Sequence, residues 1–218
     1  SLDPAFTIGE QIAEAVKLHQ KGKGRGVWDK VVESLRLVRI PDAQTRLRDY
    51  PHQFSGGMRQ RVTGAIALSC RPSLLIADEP TTSLDVTVQA QYLRLLKQVQ
   101  EETNVAMIFI THDLGIIARM CDRVAVMYAG RIVEQAEVRD LFRNPAHPYT
   151  IGLMRCIPRF HASTDRLFSI EGQPPSLGSL PRGCSFAPRC QRATERCFEE
   201  YPHQKAVGDG HTVHCWCL

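Results

Sequence analysis

Two short apolar runs with an amphipathic stretch between them place the strongest constraint on how this chain can fold. The runs are LLIAD at 74–78 and VAMIFIT at 105–111. Continuous apolar runs of this length are typical of parallel strands buried on both faces. The segment between them carries apolar residues at helical spacing, namely Val88, Tyr92, Leu95, Leu96 and Val99. This βαβ order predicts an α/β fold with a parallel sheet and helices packed against it.

The flanking segments predict helices before this unit and a strand pair after it. Residues 5–52 have helical periodicity on two faces, one with Ile8, Ile12 and Ala15 and the other with Val27, Val31, Leu35 and Val38. An exposed loop at 19–26 separates the two helices. Residues 123–135 indicate a strand, a turn at Ala129–Gly130 and a return strand, and the chain beyond Pro158 is rich in Pro and Gly. We therefore divide the chain into a helical segment 1–52, a core 53–145 and a small irregular extension 146–218.

Polar side chains follow both apolar runs, at the point where each predicted strand ends. Asp78 and Glu79 close the first run, and His112 follows the second. Open α/β sheets bind ligands at the carboxyl ends of their strands. There one carboxylate can hold the water shell of Mg²⁺ and the next can orient an attacking water. Taken singly, the acids are also compatible with a solvated loop, and the histidine with a structural helix cap.

The stretch QFSGGMRQR at 53–61 puts two glycines in front of a predicted helix. Gly56 and Gly57 are poor helix formers, so helix stability does not account for them. One interpretation is a turn with Ser55 as its cap. The other is a backbone that lies against an anion, because the helix N-terminus presents free N–H groups and a positive dipole end.

Together, these motifs resemble the ATPase domain of ABC transporters in order and spacing, over nearly the whole chain. The resemblance implies an ABC-type α/β fold, with a parallel-sheet core and a helical subdomain, that binds ATP and Mg²⁺. Ser55, Gly56 and Gly57 match the signature motif, which contacts the γ-phosphate of an ATP held by the opposing subunit. Asp78 matches the Walker B aspartate, Glu79 the catalytic base, Ser83 to Asp85 the D-loop and His112 the switch histidine. Met58 stands where many signature motifs have glutamine.

The chain contains no G-x-x-x-x-G-K-[ST] phosphate-binding loop. Since the later motifs are intact, we interpret the chain as N-terminally truncated rather than as a degenerate enzyme. We expect the full-length protein to hydrolyse ATP, and the chain as given to be inactive alone.

The C-terminal part narrows the resemblance to ATPase subunits of dipeptide, oligopeptide and nickel importers. NPAHPYTIGLM at 144–154 and the Cys-containing stretch at 170–197 carry this likeness. It implies a second ATPase subunit, identical or different, two transmembrane permeases and, indirectly, an extracytoplasmic binding protein. The subunit would sit peripherally on the cytoplasmic face of the inner membrane.

Composition and charge help to distinguish the functional classes that compete with a transport ATPase. A formal net charge of +4 offers no clear nucleic-acid footprint, and no apolar stretch has membrane-spanning length. ABC-type ATPases of DNA repair and chromosome maintenance share the site chemistry, but they usually carry a coiled-coil insertion that has no counterpart here. A non-catalytic metal-binding regulatory fragment is the third hypothesis.

Five of the eight cysteines fall in the last 35 residues, and four of them have the spacing C-x5-C-x6-C-x17-C. These are Cys184, Cys190, Cys197 and Cys215, whereas Cys217 looks spare and His211 and His214 are less favoured substitutes. By ligand type, four thiolates suit zinc or an iron–sulfur cluster. The resemblance to dipeptide-importer ATPases implies a 4Fe–4S cluster, and a reduced, metal-free tail stays an alternative. Cys70, Cys121 and Cys156 fit small buried apolar positions.

Overall fold

The structure is a computed structural model that describes residues 2–20, 25–157 and 168–218. It divides into two compact units, Ser1–Leu114 and Gly115–Leu218. The predicted loop at 19–26 and the Pro- and Gly-rich stretch after Pro158 lie partly outside the described residues. Within the described ranges, none of the helices combines the length and the apolar character that a membrane crossing requires.

The first unit begins with helices and continues into the predicted βαβ segment. Its helices before the sheet are α1 (Ile8–His19), α2 (Arg25–Leu37), α3 (Ala43–Arg46) and α4 (Gly56–Leu68), with a 3₁₀ turn at Pro51–Gln53. Strand β1 (Leu74–Asp78), helix α5 (Val86–Thr103) and strand β2 (Ala106–Ile110) follow. β1 and β2 pair in parallel, with Asp78 opposite Ile110, which confirms the predicted βαβ order.

Burial in this unit follows the helical periodicity more closely than the strand prediction. Ile8 and Ile12 are fully buried, and most apolar residues of α2 and α5 are buried. The expectation that the two strands are buried on both faces is wrong, because Ile76 is 59% exposed and Ile110 is 48% exposed. In the part of the chain that the structure describes, each strand has a single neighbour, so both are edges.

The second unit is built on a four-stranded sheet. Helix α6 (Leu114–Met120) leads into β3 (Arg123–Tyr128) and β4 (Arg131–Glu137), which form the predicted hairpin. Ala129 (φ 47°) and Gly130 (φ 77°) both adopt the left-handed backbone that a two-residue hairpin turn requires. Helices α7 (Val138–Arg143) and α8 (Pro148–Arg155) follow.

The C-terminal segment contains more regular structure than the predicted irregular extension. It forms a 3₁₀ turn at Ala187–Arg189, helix α9 (Glu195–Glu199) and strands β5 (Gln204–Gly208) and β6 (His211–His214). The sheet order is β3-β4-β6-β5, so β6 pairs with β4 and the C-terminal strands continue the sheet of β3 and β4. Phe186 also packs into the apolar core formed by β3, β4 and α7.

Candidate active site

The predicted catalytic residues meet where β1 and β2 end. The Glu79 backbone N–H donates to the carbonyl oxygen of Ile110 at 2.9 Å, which continues the parallel ladder by one residue. His112 Nδ1 lies 2.7 Å from Glu79 Oε1, and the His112 backbone N–H donates to the same oxygen at 3.2 Å. The sheet therefore brings together an acid and a histidine that are distant in sequence.

Glu79 adopts an unusual backbone conformation, and Thr82 holds it. Its φ of 44° lies in the left-handed region, where a non-glycine residue carries strain of order 1–3 kcal/mol. The Thr82 hydroxyl donates to Glu79 Oε2 at 2.9 Å and lies 3.3 Å from the Glu79 carbonyl oxygen. Sequence reasoning missed Thr82, although a hydroxyl three residues after a turn-forming acid is the signal that could have identified it.

These contacts favour the charged forms of both catalytic candidates. The hydrogen bond from His112, helped by that from Thr82, lowers the pKa of Glu79. The same bond and the negative charge of Glu79 raise the pKa of His112. Oε1 of Glu79 accepts two hydrogen bonds, both from His112, whereas Oε2 accepts one from Thr82 and keeps capacity for another. The carboxylate can therefore still accept a hydrogen bond from a water molecule.

The predicted signature motif forms the N-terminus of α4. The helix begins at Gly56, two residues earlier than predicted, and Ser55 caps it by accepting from the Met58 N–H at 3.3 Å. The two glycines differ in their surroundings. A Cβ on Gly57 would come within 2.5 Å of Val88 Cγ1, whereas a Cβ on Gly56 would meet no atom of the described residues within 4 Å. Packing thus accounts for Gly57 but not for Gly56.

The two aspartates of the predicted site occupy the ends of regular elements. Asp78 is the last residue of β1 and is exposed. Asp85 caps α5, since its Oδ1 accepts from the N–H groups of Thr87 at 3.1 Å and Val88 at 3.0 Å. Asp78 is available to a cation, and the Asp85 carboxylate holds the start of α5.

The five C-terminal cysteines line one small cavity in the second unit. The Cys184 N–H donates to the Cys197 carbonyl oxygen at 2.8 Å, and burial raises the pKa of the Cys184, Cys190 and Cys215 thiols, that of Cys215 to about 11. Cys217, predicted to be spare, lies 3.6 Å from Cys197, sulfur to sulfur. Within the described ranges, no three His, Cys, Asp or Glu side chains are placed to hold one metal ion.

The remaining candidates in and near the tail have other surroundings. His211 Nε2 lies 2.8 Å from Glu134 Oε1, and His214 Nδ1 lies 3.0 Å from the Pro202 carbonyl oxygen. The three cysteines outside the tail are half-buried rather than fully buried, namely Cys70, Cys121 and Cys156.

Comparison with known proteins identifies relatives along the whole chain. The ABC transporter family model matches residues 1–82, and the model of the oligopeptide/dipeptide transporter C-terminal region matches residues 133–197. The dipeptide transport ATP-binding protein DppD of Bacillus subtilis is 50% identical over 99% of this chain and 64% of its own length. The oligopeptide transport ATP-binding protein OppD of Haemophilus influenzae is 50% identical over 99% of this chain and 67% of its own length. The chain therefore spans about two thirds of these curated relatives.

Solved structures give the same family. The ATP-binding cassette MJ0796, in a dimeric post-hydrolysis state bound to ADP and Pi, is similar with a TM-score of 0.55 and 28% identity over 64% of this chain and 60% of that one. The cbiO1 protein of Clostridium perfringens, part of an ABC transporter complex, has a TM-score of 0.58 and 27% identity over 66% of this chain and 55% of that one. The chain belongs to the ABC transporter ATP-binding proteins of the dipeptide and oligopeptide class.

Proposed function

We propose that this chain is part of an ATP-hydrolysing subunit that energises the import of dipeptides or oligopeptides. The observation that carries the proposal is the Glu79–His112 contact at adjoining ends of two parallel strands, 2.7 Å between Oε1 and Nδ1. The names of the curated relatives support peptides as the cargo, and nickel stays the alternative that the sequence alone left open.

Each predicted site residue has a role that its position supports. Glu79 orients the attacking water, and His112 contacts the γ-phosphate while it positions the Glu79 carboxylate. Asp78 is exposed beside Glu79 and would hold Mg²⁺ through its water shell, and the ion supplies charge neutralisation to the phosphates. Asp85 fixes the start of α5 next to this site.

The signature residues act on a second nucleotide. Ser55 and Gly56 stand at the N-terminus of α4, and among the described residues no atom lies within 4 Å of the position that a Cβ on Gly56 would take. We infer that Ser55, Gly56 and Gly57 face the γ-phosphate of an ATP bound by a second ATPase subunit, identical or different. The subunit pair would drive two permeases from the cytoplasmic face of the membrane, supplied by an extracytoplasmic binding protein.

The experiment that tests this function uses a chimaera in which the phosphate-loop segment of an ABC ATPase precedes this chain. The Glu79→Gln chimaera should retain ATP binding and lose hydrolysis by about 10²-fold or more, because a general base contributes on that scale. His112→Ala should also reduce turnover strongly. Glu101→Gln, which changes an exposed carboxylate on α5, is the matched control. Wild-type turnover in the Glu79→Gln chimaera would exclude Glu79 as the base.

Nucleotide binding by the 218-residue chain without an added phosphate-loop segment is a separate test. Without a phosphate-binding loop in its sequence, the 218-residue chain should show no appreciable MgATP affinity by calorimetry. Tight MgATP binding would overturn the interpretation that the main phosphate contacts lie outside this chain.

We also propose that the C-terminal cysteines hold a 4Fe–4S cluster. A tetrahedral zinc site requires sulfurs about 2.3 Å from one point, and no such convergence occurs among the described residues. The four predicted ligands nevertheless line one small cavity, and four thiolates are the ligand set that such a cluster takes. The residues that would hold it are Cys184, Cys190, Cys197 and Cys215. Because segment 184–217 has few buried apolar residues, the cluster would serve structure more than catalysis.

Purification under anaerobic conditions tests the cluster. The protein should be brown, with iron and sulfide in similar amounts. Serine substitution at any of the four proposed ligands should bleach it, and Cys217→Ser should not. Colourless protein with one zinc per chain would overturn the cluster and leave a four-thiolate site.

A further inference from the structure

Cys197 and Cys217 are in direct contact across the C-terminal cavity. Their Sγ atoms are 3.6 Å apart, although the residues are 20 positions apart in sequence. Cys197 lies in α9, where Thr194 Oγ1 is 3.4 Å from its sulfur. The Cys217 sulfur lies 2.9 Å from the Arg192 carbonyl oxygen. Both sulfurs are therefore fixed by the same short segment, 192–197.

We propose that Cys197 and Cys217 form a reversible disulfide that takes Cys197 out of the set of metal ligands. A disulfide has an S–S length of about 2.05 Å, so the sulfurs must approach each other by roughly 1.6 Å. Cys217 follows β6 and is outside any strand, so the backbone on its side can adjust without breaking a ladder hydrogen bond. Disulfides in reducing compartments are usually transient and redox-sensing, which is the kind of bond proposed here.

The chemistry balances with a low-molecular-weight disulfide, such as glutathione disulfide, as oxidant. Cys217 is the more exposed residue of the two, so its thiolate attacks one sulfur of the small disulfide and releases one glutathione thiol. The Cys197 thiolate then attacks the Cys217 sulfur of the mixed disulfide and releases the second glutathione thiol. Two protein thiols lose two electrons and two protons, and one glutathione disulfide gains them.

The consequence is competition for Cys197. Once its sulfur is bonded to Cys217, it cannot ligate a metal, and the new bond links α9 to the segment after β6. A metal-loaded tail should resist this oxidation and a metal-free tail should not. The disulfide itself is a property of the metal-free chain, so it does not depend on the proposed cluster.

The test oxidises the metal-free 218-residue chain with glutathione disulfide, alkylates the remaining thiols and maps the bonds by mass spectrometry after trypsin digestion. Cleavage after Arg196 and Lys205 puts Cys197 alone on one peptide, and Cys215 and Cys217 together on the peptide 206–218. We expect these two peptides to be linked, with reversal by a reducing agent. The link should be lost in Cys217→Ser and kept in Cys215→Ser and Cys190→Ser, the matched controls that line the same cavity.

Two further arms separate a native contact from random pairing and from the cluster proposal. The same chain oxidised in urea gives the disulfide pattern of an unfolded tail. If the native chain gave the same pattern as the chain in urea, the proposal would be overturned. A Cys197–Cys215 link that persists in Cys217→Ser would also overturn it. Chain reconstituted with iron and sulfide should form the Cys197–Cys217 link more slowly than metal-free chain. If reconstitution yields no cluster, the cluster proposal fails and the result on the metal-free chain still decides the disulfide.

Discussion

His112 Nδ1 lies 2.7 Å from Oε1 of Glu79, although the two residues are 33 positions apart in sequence. The contact follows from the parallel register of β1 and β2, in which Asp78 is opposite Ile110. The carboxylate and the imidazole stabilise each other's charged form across this edge. Their ionisation is therefore linked, and it can be measured in this chain without a nucleotide.

We predict that Glu79→Gln lowers the pKa of His112, because the substitution removes the negative charge and replaces the carboxylate by a neutral, weaker acceptor. The folded-state pKa of His112 is raised, so its contribution to stability is complete below the ordinary pKa of about 6.5 and is lost as the pH rises through the folded value. The folded-state pKa of Glu79 is lowered, so its contribution is present above the ordinary value of about 4.5 and is lost as the pH falls through the folded value. NMR titration of the histidine ring protons measures the shift. The exposed control Glu101→Gln should leave the titration of His112 unchanged, and an equal pKa in the wild type and in Glu79→Gln would contradict the contact.

A second prediction concerns Thr82 as a positioning residue for Glu79. In the chimaera, Thr82→Val should lower kcat by about tenfold to a hundredfold, because a hydrogen bond to a charged group contributes about 1.5–3 kcal/mol and about 1.4 kcal/mol corresponds to a factor of ten. Since the Thr82 hydroxyl helps to lower the pKa of Glu79, the acid limb of the pH–rate profile should also move to higher pH. Thr82→Ser keeps the donor and should restore both properties. If valine and serine gave the same profile, the hydroxyl would have no positioning role.

The third prediction separates the two signature glycines. Gly57→Ala should destabilise the first unit by about 1–3 kcal/mol, because its Cβ would clash with Val88, whose branched side chain has one favoured rotamer in a helix. Gly56→Ala meets open space and should leave unfolding unchanged or slightly improved. Urea unfolding followed by Trp28 fluorescence, with Trp216→Phe as the background, measures both.

ATP hydrolysis by the chimaera tests whether Gly56 has a role in nucleotide contact. If Gly56 faces a phosphate of an opposing ATP, Gly56→Ala should reduce ATP hydrolysis by the chimaera although the variant is stably folded. A stable Gly56→Ala chimaera with wild-type turnover would remove Gly56 from the proposed nucleotide contact.

Sequence periodicity predicted the local elements well and the contacts between them only in part. The apolar runs and helical spacing identified β1, α5 and β2, and the Ala129–Gly130 turn identified the β3–β4 hairpin, because these signals are local. Strand β5 has no such signal, since all five of its residues are exposed and show no apolar alternation. The pairing of β6 with β4 joins segments that are far apart in sequence, which periodicity does not encode.

The candidate active site also combines features that local sequence signals predict with features that depend on the tertiary structure. The motif order identified Glu79 and His112, whereas the left-handed backbone of Glu79 and its bonds to Thr82 depend on a turn whose conformation no single residue type dictates. The sequence pattern indicates that Gly57 lies against an anion. In the structure the Val88 side chain of α5 fills the space that a Cβ on Gly57 would need, a packing role that only the tertiary structure reveals.

The last prediction concerns Glu134, a fully buried carboxylate in β4. Its oxygens accept the backbone N–H groups of Ala146 at 2.7 Å and His147 at 2.9 Å, and its Oε1 lies 2.8 Å from His211 Nε2 on β6. The Glu134 side chain thus connects β4, the start of α8 and the C-terminal hairpin that β5 and β6 form. Removal of a buried side chain that satisfies several donors leaves those donors unpaired, and we expect Glu134→Ala to destabilise the second unit by roughly 3–5 kcal/mol.

Trp216 lies in the second unit, so its fluorescence in a Trp28→Phe background reports the urea midpoint of that unit. Glu134→Gln should also lower the urea midpoint. The glutamine amide has only one acceptor oxygen, so its NH₂ group must face a donor that the carboxylate accepts from in the native protein. Glu137→Ala is the matched control, since Glu137 is exposed at the end of the same strand and its replacement should change stability by about 0.5 kcal/mol or less. Equal midpoints for Glu134→Ala and Glu137→Ala would show that the buried carboxylate does not hold the hairpin to β4. A loss confined to the Glu134 variants would show that the C-terminal hairpin is held by this polar contact as well as by its short ladder with β4.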